Sequence, residues 1–266
     1  MDLDSGEDVD DSSVASIARA LASASIAELP TLISRYRSDP RRGVTQAVTA
    51  AHGRLQRFMA EEARVRLMGA REQELHDAGV VAVAGVDEVG RGALAGPVTA
   101  AAVILPSGVV IHGLNDSKRV PRAKRPGLAE AIRAQAHACA VAHVEARVID
   151  AVGIAQATRI AMSRALDALE IAPQHVLVDG LPVDLGRPST AIIKGDTLVC
   201  AIAAASVVAK VERDALMVAL DAEYPGYDFA DNKGYGCAQH LDALRTLGPS
   251  PIHRMSFSPC AQQSLL

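Results

Sequence analysis

The sequence of 266 residues is poor in aromatic side chains, with three Phe, four Tyr and no Trp. Its core must therefore be built mainly from Ala, Val, Leu and Ile. The sequence also lacks any apolar run near the ~20 residues that a transmembrane helix needs. Its acidic start, M-D-L-D-S-G-E-D-V-D-D, is the reverse of a basic secretory signal. Neither a membrane span nor a secretory leader is expected.

Cysteine is scarce as well. The four Cys residues are scattered without C-x-x-C spacing, so neither a zinc site nor a disulfide framework is indicated, and a reducing, cytoplasmic location fits best. Charge of one sign is not in large excess either. A net charge of −4 argues against a protein that coats nucleic acid through bulk electrostatics, but it leaves room for a locally basic groove.

The first part of the chain reads as a tail followed by helices. Residues 1–12 are polar and acidic and are expected to be disordered. Apolar residues at helical spacing then continue to about residue 78, which predicts an acidic tail and helical extension over residues 1–78. Between residues 31 and 71 there are nine Arg against three acids. A solvated helical surface is the favoured interpretation, and an arm that contacts a nucleic-acid backbone is the alternative.

From residue 79 to residue 266 the pattern predicts an α/β domain with a mixed sheet. Apolar, β-branched runs predict strands over residues 80–87, 98–105, 109–114, 139–148, 175–179 and 189–194, the first three forming a meander. Helical spacing predicts helices over residues 122–137, 153–171, 198–222 and 238–247.

Four acids stand where predicted strands end. Asp87 and Glu88 close the run V-V-A-V-A-G-V, Asp179 closes H-V-L-V, and Asp196 follows a β-branched stretch in K-G-D. Carboxylates at strand ends meet at one edge of a sheet, where their oxygens suit hard divalent cations. Such a cluster repels itself without cations, so it indicates metal-dependent phosphate chemistry. Taken singly, Asp179 could be a turn residue and Asp196 a helix cap.

The glycine-rich segment V-D-E-V-G-R-G-A-L-A-G-P could also be a dinucleotide-binding fingerprint. That fingerprint needs a helix next, whose N-terminus faces a pyrophosphate. Here Pro97 and a β-like stretch follow instead, and two acids stand where the anion would arrive. We therefore favour a loop that approaches a substrate closely, with Arg91 near a phosphate.

Two further motifs are weaker. Lys118 ends L-N-D-S-K, which is most simply a capped helix start, although that helix start could also face an anion. Tyr235, in N-K-G-Y-G, offers a stacking surface for a sugar or base. His240 and His253 are more simply satisfied structural histidines than functional ones.

Taken together and in this order, the motifs G-V-D-E-V-G-R-G-A-L-A-G-P-V, L-N-D-S-K, V-L-V-D-G, I-K-G-D, A-A-A-S-V-V-A-K-V-E-R-D, N-K-G-Y-G and I-H-R-M-S-F-S-P resemble the ribonuclease HII family. The resemblance runs from about residue 83 to residue 259. It implies a ribonuclease H-like mixed five-stranded sheet with flanking helices and a helical C-terminal part. The N-terminal segment resembles the helical extension that only some members carry.

The resemblance also implies a function: an endoribonuclease that cuts the RNA strand of RNA–DNA hybrids and cuts 5′ to single ribonucleotides in duplex DNA. The residues that it marks as metal-binding, catalytic carboxylates are Asp87, Glu88, Asp179 and Asp196. The residues that it marks for the substrate are Gly90, Arg91 and Gly92 at the ribose 2′-hydroxyl, Tyr235 at the neighbouring sugar and Lys118 at a phosphate. Ala93 and Cys237 depart from the family pattern, in which Pro and Thr are usual.

The mechanism hypothesis that follows uses two Mg²⁺ or Mn²⁺ ions about 4 Å apart, leaving 3′-hydroxyl and 5′-phosphate ends. The expected partners are RNA–DNA hybrid and ribonucleotide-containing duplex DNA. No membrane and no obligate protein partner are expected, and the chain should act as a monomer, in ribonucleotide excision repair. A non-catalytic module that binds RNA–DNA hybrids is the alternative function.

Overall fold

The computed structural model describes residues 12–263. The acidic tail predicted over residues 1–12 therefore lies outside the described residues, apart from Ser12. The chain forms two compact units, Met1–Arg64 and Val65–Leu266, which we describe separately. The predicted domain division at residue 78 stays a prediction. Among the described residues, no helix is both long enough and apolar enough to span a membrane.

The first unit is helical. It contains α1 (Val14–Ser23), α2 (Leu29–Tyr36) and most of α3 (Arg42–Met68). Ser13 caps α1, because its hydroxyl accepts the backbone N–H of Ser16 at 3.2 Å. The small core of this unit consists of Ile17, Leu21, Leu29, Tyr36, Val44 and Ala51.

The second unit contains a five-stranded mixed sheet, as expected. Its strands are β1 (Val83–Val89), β2 (Val98–Ile104), β3 (Ala138–Val144), β4 (His175–Asp179) and β5 (Ser189–Ile192), in the order β3-β2-β1-β4-β5. The first three pair antiparallel, whereas β4 lies parallel to both β1 and β5. The helices of this unit after α3 are α4 (Ala70–Asp77), α5 (Arg125–Gln135), α6 (Ala146–Val152), α7 (Ile154–Asp167), α8 (Gly195–Leu198), α9 (Cys200–Glu223), α10 (Phe229–Asn232), α11 (Ala238–Leu247) and α12 (Ser258–Gln263).

Helices cover both faces of the sheet. Alternate side chains of β2 point to opposite faces, so Ala101 and Val103 join a core cluster with α5 and α9, while Ala102 and Ile104 join another with α7. Small residues bring α9 close to β1. A Cβ on Gly85 would lie only 2.1 Å from the carbonyl carbon of Ala201. Helix α9 therefore rests directly on the strand that carries the first two acids.

One predicted strand was wrong, and another was predicted too long. Residues 109–114 are irregular, and the third antiparallel strand is β3. The apolar run still reaches the core through Ile111 and Leu114, so it is buried without any ladder partner. The strand predicted over residues 139–148 ends at Val144, because α6 begins at Ala146, and a left-handed Gly153 (φ +79°) separates α6 from α7.

Candidate active site

Sheet topology brings the predicted acids to one edge. Val86 of β1 and Val178 of β4 are paired in parallel register, so Asp87 and Asp179 follow side by side at the carboxyl ends of neighbouring strands. Asp196 comes from α8, and its backbone N–H donates to Asp179 Oδ1 at 3.3 Å. Three separate segments thus meet here. We call Asp87, Glu88, Asp179 and Asp196 the acid edge.

The acid edge is electrostatically costly. Asp87 is only 6% exposed. Burial, followed by the nearby charges of Glu88 and Asp179, raises its pKa well above the ordinary range for Asp. Burial likewise raises the pKa of Glu88, which the ion pair with Arg91 (3.0 Å) partly opposes. Burial raises the pKa of Asp196 too, reinforced by Asp179 and opposed by Lys118.

These carboxylates match the oxygen ligands that Mg²⁺ and Mn²⁺ prefer. Gathering four acids with a single arginine partner is unfavourable for the protein alone and favourable for a cation site. Across residues 12–263, however, no group of three or more His, Cys, Asp or Glu side chains is arranged as a ready metal site. The structure brings the acids to one edge without closing them around an ion.

The turn before α5 reaches the acid edge. Lys118 is exposed, and its charge partly opposes the rise in the pKa of Asp196. The hydroxyls of Ser117 and Ser206 are 3.1 Å apart, and a hydrogen bond from Ser206 opposes the raised pKa of Asp87. Lys118 is thus placed where an anion at the acid edge would meet a positive charge.

The glycine loop between β1 and β2 is held from below by Arg213, which is fully buried in α9. Its guanidinium donates to the carbonyls of Pro97 (2.9 Å), Lys233 (2.9 Å) and Ala95 (3.2 Å). A Cβ at Gly90, where φ is +88°, would lie 2.2 Å from the Arg213 Nε. Only glycine fits this position.

A second buried arginine, Arg254, also holds the backbone of the loop. It donates to the carbonyls of Gly96 (3.0 Å) and Arg91 (2.9 Å), and burial lowers its pKa to about 10. The Arg91 side chain stays exposed, and a Cβ on Gly92 would meet nothing within 4 Å. The predicted substrate loop therefore has a fixed backbone below an open outer surface.

The N-K-G-Y-G loop packs on the glycine loop through backbone contacts. The Leu94 N–H donates to the Gly234 carbonyl at 2.7 Å, and a Cβ on Gly234 would lie 2.4 Å from the Ala95 carbonyl oxygen. Tyr235 is 37% exposed, and the Arg213 guanidinium lies 5.5 Å from its ring centre. The predicted stacking tyrosine therefore stands beside the predicted substrate loop.

Behind Tyr235 lies a buried histidine pair with assignable tautomers. The Ser250 N–H donates to His253 Nδ1 (2.9 Å), so the proton of neutral His253 is on Nε2, 3.0 Å from His240 Nε2. His240 then carries its proton on Nδ1 and donates it to the Tyr235 carbonyl (2.9 Å). Burial lowers the pKa of both rings, that of His253 to about 4. We call Arg213, Arg254 and the two histidines the loop scaffold.

The two scaffold arginines were missed from the sequence, because arginines are normally read as surface residues. A signal was available for one of them. Arg213 lies four residues from Ala209 and four from Met217, both buried, and so occupies a core position of a helical stripe. The more structural interpretation of His240 and His253 is consistent with their burial and bonding.

Comparison with known proteins gives two family matches. The model for ribonuclease HII matches residues 84–260, and the model for the ribonuclease HII N-terminal domain matches residues 13–76.

Similar solved structures include proteins of the same name as the matched family. The ribonuclease H2 from Pyrococcus horikoshii OT3 is 25% identical, with a TM-score of 0.60, covering 69% of this chain and 97% of that one. The RNase HII of the PCNA:RNase HII complex from Archaeoglobus fulgidus is also 25% identical, with a TM-score of 0.58 and coverage of 66% and 95%. Bst-RNase HIII in complex with Mn²⁺ is 18% identical, with a TM-score of 0.52 and coverage of 71% of each chain, which shows the shared fold alone.

Proposed function

Because the chain belongs to the ribonuclease HII family, we propose that it is an endoribonuclease that cuts the RNA strand of RNA–DNA hybrids and also cuts 5′ to single ribonucleotides in duplex DNA. The observation that supports this best is the meeting of Asp87, Asp179 and Asp196, from three separate segments, at one sheet edge. Arg91 and Gly92 are exposed and lie in the loop that follows β1, a few residues after Asp87 and Glu88.

The acid edge would hold the divalent cations, two Mg²⁺ or Mn²⁺ ions in our proposal. When bound, such ions supply Lewis-acid activation of water and stabilisation of the leaving oxygen, giving 3′-hydroxyl and 5′-phosphate ends. Asp87 and Glu88 would contribute oxygens from a strand that packs directly against α9. Arg91 neutralises part of the acid edge through Glu88, and Lys118 offers a positive charge to a phosphate beside Asp196.

Specificity for RNA must come through the 2′-hydroxyl, because DNA lacks it. We propose that the backbone of Gly90, Arg91 and Gly92 reads this group, since no side chain stands between Gly92 and solvent. Tyr235 would stack on the neighbouring sugar, because its ring is partly exposed and the Arg213 guanidinium lies against it. Together these contacts would sense the RNA–DNA junction.

The test is cleavage of duplex DNA that carries one ribonucleotide, with Mg²⁺ and with EDTA. We expect a single nick 5′ to the ribonucleotide in Mg²⁺, none in EDTA, and none on the matched all-DNA duplex. Ligation of the nicked strand would report the 3′-hydroxyl and 5′-phosphate ends. If the protein cuts a long hybrid but makes no nick at the single ribonucleotide, the proposed cleavage 5′ to single ribonucleotides is wrong.

We further propose that the enzyme acts in the cytoplasm, in ribonucleotide excision repair, as a monomer without an obligate partner. The Archaeoglobus fulgidus relative was solved in a complex with PCNA, so a PCNA-like partner is the first to test by size-exclusion chromatography. The chain is a ribonuclease H by family, and its four acids are all present, so the alternative of a non-catalytic hybrid-binding module is not favoured.

Some of the arginines in the N-terminal helices already have partners within the protein and are not available to a ligand. Arg54 donates to the backbone carbonyls of Leu21, Ala22 and Ala24, and Arg64 pairs with Glu61. We propose that the exposed side chains of Arg37, Arg42 and Arg57 contact the backbone of a bound nucleic acid. Replacing all three by Gln in the full chain should reduce the salt dependence of hybrid binding by up to about three counterions. An unchanged slope would favour a solvated surface.

A further inference from the structure

Helix α9 begins without a cap of its own. Its N-cap residue is Val199, whose side chain cannot accept a hydrogen bond from the exposed N–H groups of the first turn. The acceptor comes from a different helix instead. The N–H of Ala201 donates to Oε1 of Glu72 in α4 at 2.7 Å. Glu72 is only 8% exposed, so this is a buried carboxylate cap supplied from 129 residues away in the sequence.

This cap is expensive for the fold. Burial raises the pKa of Glu72, which the N–H of Ala201 and the nearby His76 oppose. The second oxygen, Oε2, is buried with no hydrogen-bond partner. A buried carboxyl with one oxygen unsatisfied costs free energy that an apolar residue would not. Stability alone therefore gives a poor reason for Glu at this position.

The capped turn touches β1 directly. A Cβ on Gly85 would lie 2.1 Å from the carbonyl carbon of Ala201 and 2.3 Å from the backbone nitrogen of Ile202. No gap remains between the first turn of α9 and the strand. Asp87 follows Gly85 by two residues in the same strand. The position of the first turn of α9 therefore fixes the position of Asp87 at the acid edge.

The same turn also touches α8. A Cβ on Gly195 would lie 2.6 Å from Cδ1 of Ile202 and 3.3 Å from Oδ1 of Asp179, and the Val199 N–H donates to the Gly195 carbonyl at 2.8 Å. Asp196 is the next residue along. One helical turn therefore contacts the backbone next to Asp87 on one side and next to Asp196 on the other.

We propose that Glu72 is a positioning residue for the acid edge: by anchoring the first turn of α9, it sets the spacing between Asp87 and Asp196. The inference rests on the proposed catalytic role of those two acids. It also assigns α4, which lies in the segment matched by the N-terminal domain model, a direct part in the geometry of the acid edge.

The test compares full-length Glu72→Ala and Glu72→Gln with Glu74→Gln, a control on the same helix whose side chain is 63% exposed. The readouts are kcat and KM on an RNA–DNA hybrid, Mn²⁺ binding by electron paramagnetic resonance, and hydrogen exchange of the Ala201 amide. We expect Glu72→Ala to lower kcat by about tenfold or more with little change in KM, because a small misplacement of reacting groups is costly. Mn²⁺ binding should weaken and the Ala201 amide should exchange faster.

Glu72→Gln should recover most of the kcat, because its amide oxygen can still accept from Ala201, and Glu74→Gln should match the parent. If Glu72→Ala fails to fold, Glu72→Asp, which keeps the charge but shortens the reach, should show the same kcat loss. Normal kcat and Mn²⁺ binding in a folded Ala or Asp variant would overturn the proposal, as would a Gln variant as impaired as Ala. A parent inactive on every hybrid would remove the proposed function instead, while amide exchange and Mn²⁺ binding would still test the cap.

Discussion

The acid edge and the loop scaffold both bury polar groups, but they resolve the cost of burial in opposite ways. In the scaffold, Arg213 gives its donors to three backbone carbonyls, and each histidine ring nitrogen has a partner. At the acid edge, like charges are gathered and pKa values rise. The scaffold directs almost all of its buried donors to the backbone that it holds, and Nη2 of Arg254 is its one buried polar atom without a hydrogen-bond partner among the described residues. The acid edge has acceptors to spare, which is what a binding site for cations requires.

The sharpest way to test this contrast is Asp87→Asn. We expect cleavage in Mg²⁺ to fall by about 100-fold or more, while hybrid binding stays near that of the parent. The melting temperature should hold or rise, because the change removes one buried charge from among like charges. Exposed Asp242→Asn is the control. Full activity in Mg²⁺ would contradict the ligand assignment.

The scaffold should show the reverse pattern. Arg213→Met fills similar space but leaves three buried carbonyls without a donor, so we expect a loss of about 3 kcal/mol in unfolding free energy. Urea denaturation measures it, with exposed Arg164→Met as the control. A loss below about 0.5 kcal/mol, within the range of surface substitutions, would show that the scaffold does not carry the loops.

The histidine pair sharpens the contrast through pH. His253 has its pKa lowered from 6.5 to about 4 in the fold, so the unfolded chain binds a proton more readily. Its stabilising effect is complete above about pH 6.5, declines as the pH falls towards 4, and amounts to about 2 kcal/mol between pH 7.5 and pH 5. Urea unfolding of the parent and of His253→Gln at both pH values isolates it. Equal pH dependence in the two proteins would show that His253 is not held neutral in the fold.

Tyr235 packs on the loop scaffold and should give the smallest effect. Tyr235→Ala should reduce cutting at a single ribonucleotide by about tenfold, within the range of one lost stacking contact, and affect long hybrids less. Stability should change little, since the ring is partly exposed. Tyr235→Phe keeps the ring and is the matched control. Equal losses on both substrates would remove the junction-sensing role.

The sequence predicted much of the fold where local signals are strong. Strand β4 and helix α11 begin and end where expected, because turn residues bound each of them. The run at 109–114 misled, since strand pairing depends on partners distant in the chain and β3 took the available edge of β2.

The candidate site divides in the same way. The acids could be found because each follows an apolar run of the sequence, so position alone predicts where their backbones meet. Glu72, Arg213 and Arg254 could not be found reliably, because a charged residue is expected at the surface until its buried partners are seen. Those partners are backbone groups, which leave no trace in the composition.

Helix α9 sets the distance between the acid edge and the glycine loop. Ser206 marks the level of the acid edge, and Arg213, seven residues later, marks the level of the glycine loop. At 1.5 Å per residue the two marks are about 10 Å apart. Because Gly85 leaves the helix no clearance to slide along β1, α9 holds the acid edge and the glycine loop at a fixed separation. Under the proposed function, this helix would therefore set the distance along a bound strand between the cleaved bond and the recognised sugar.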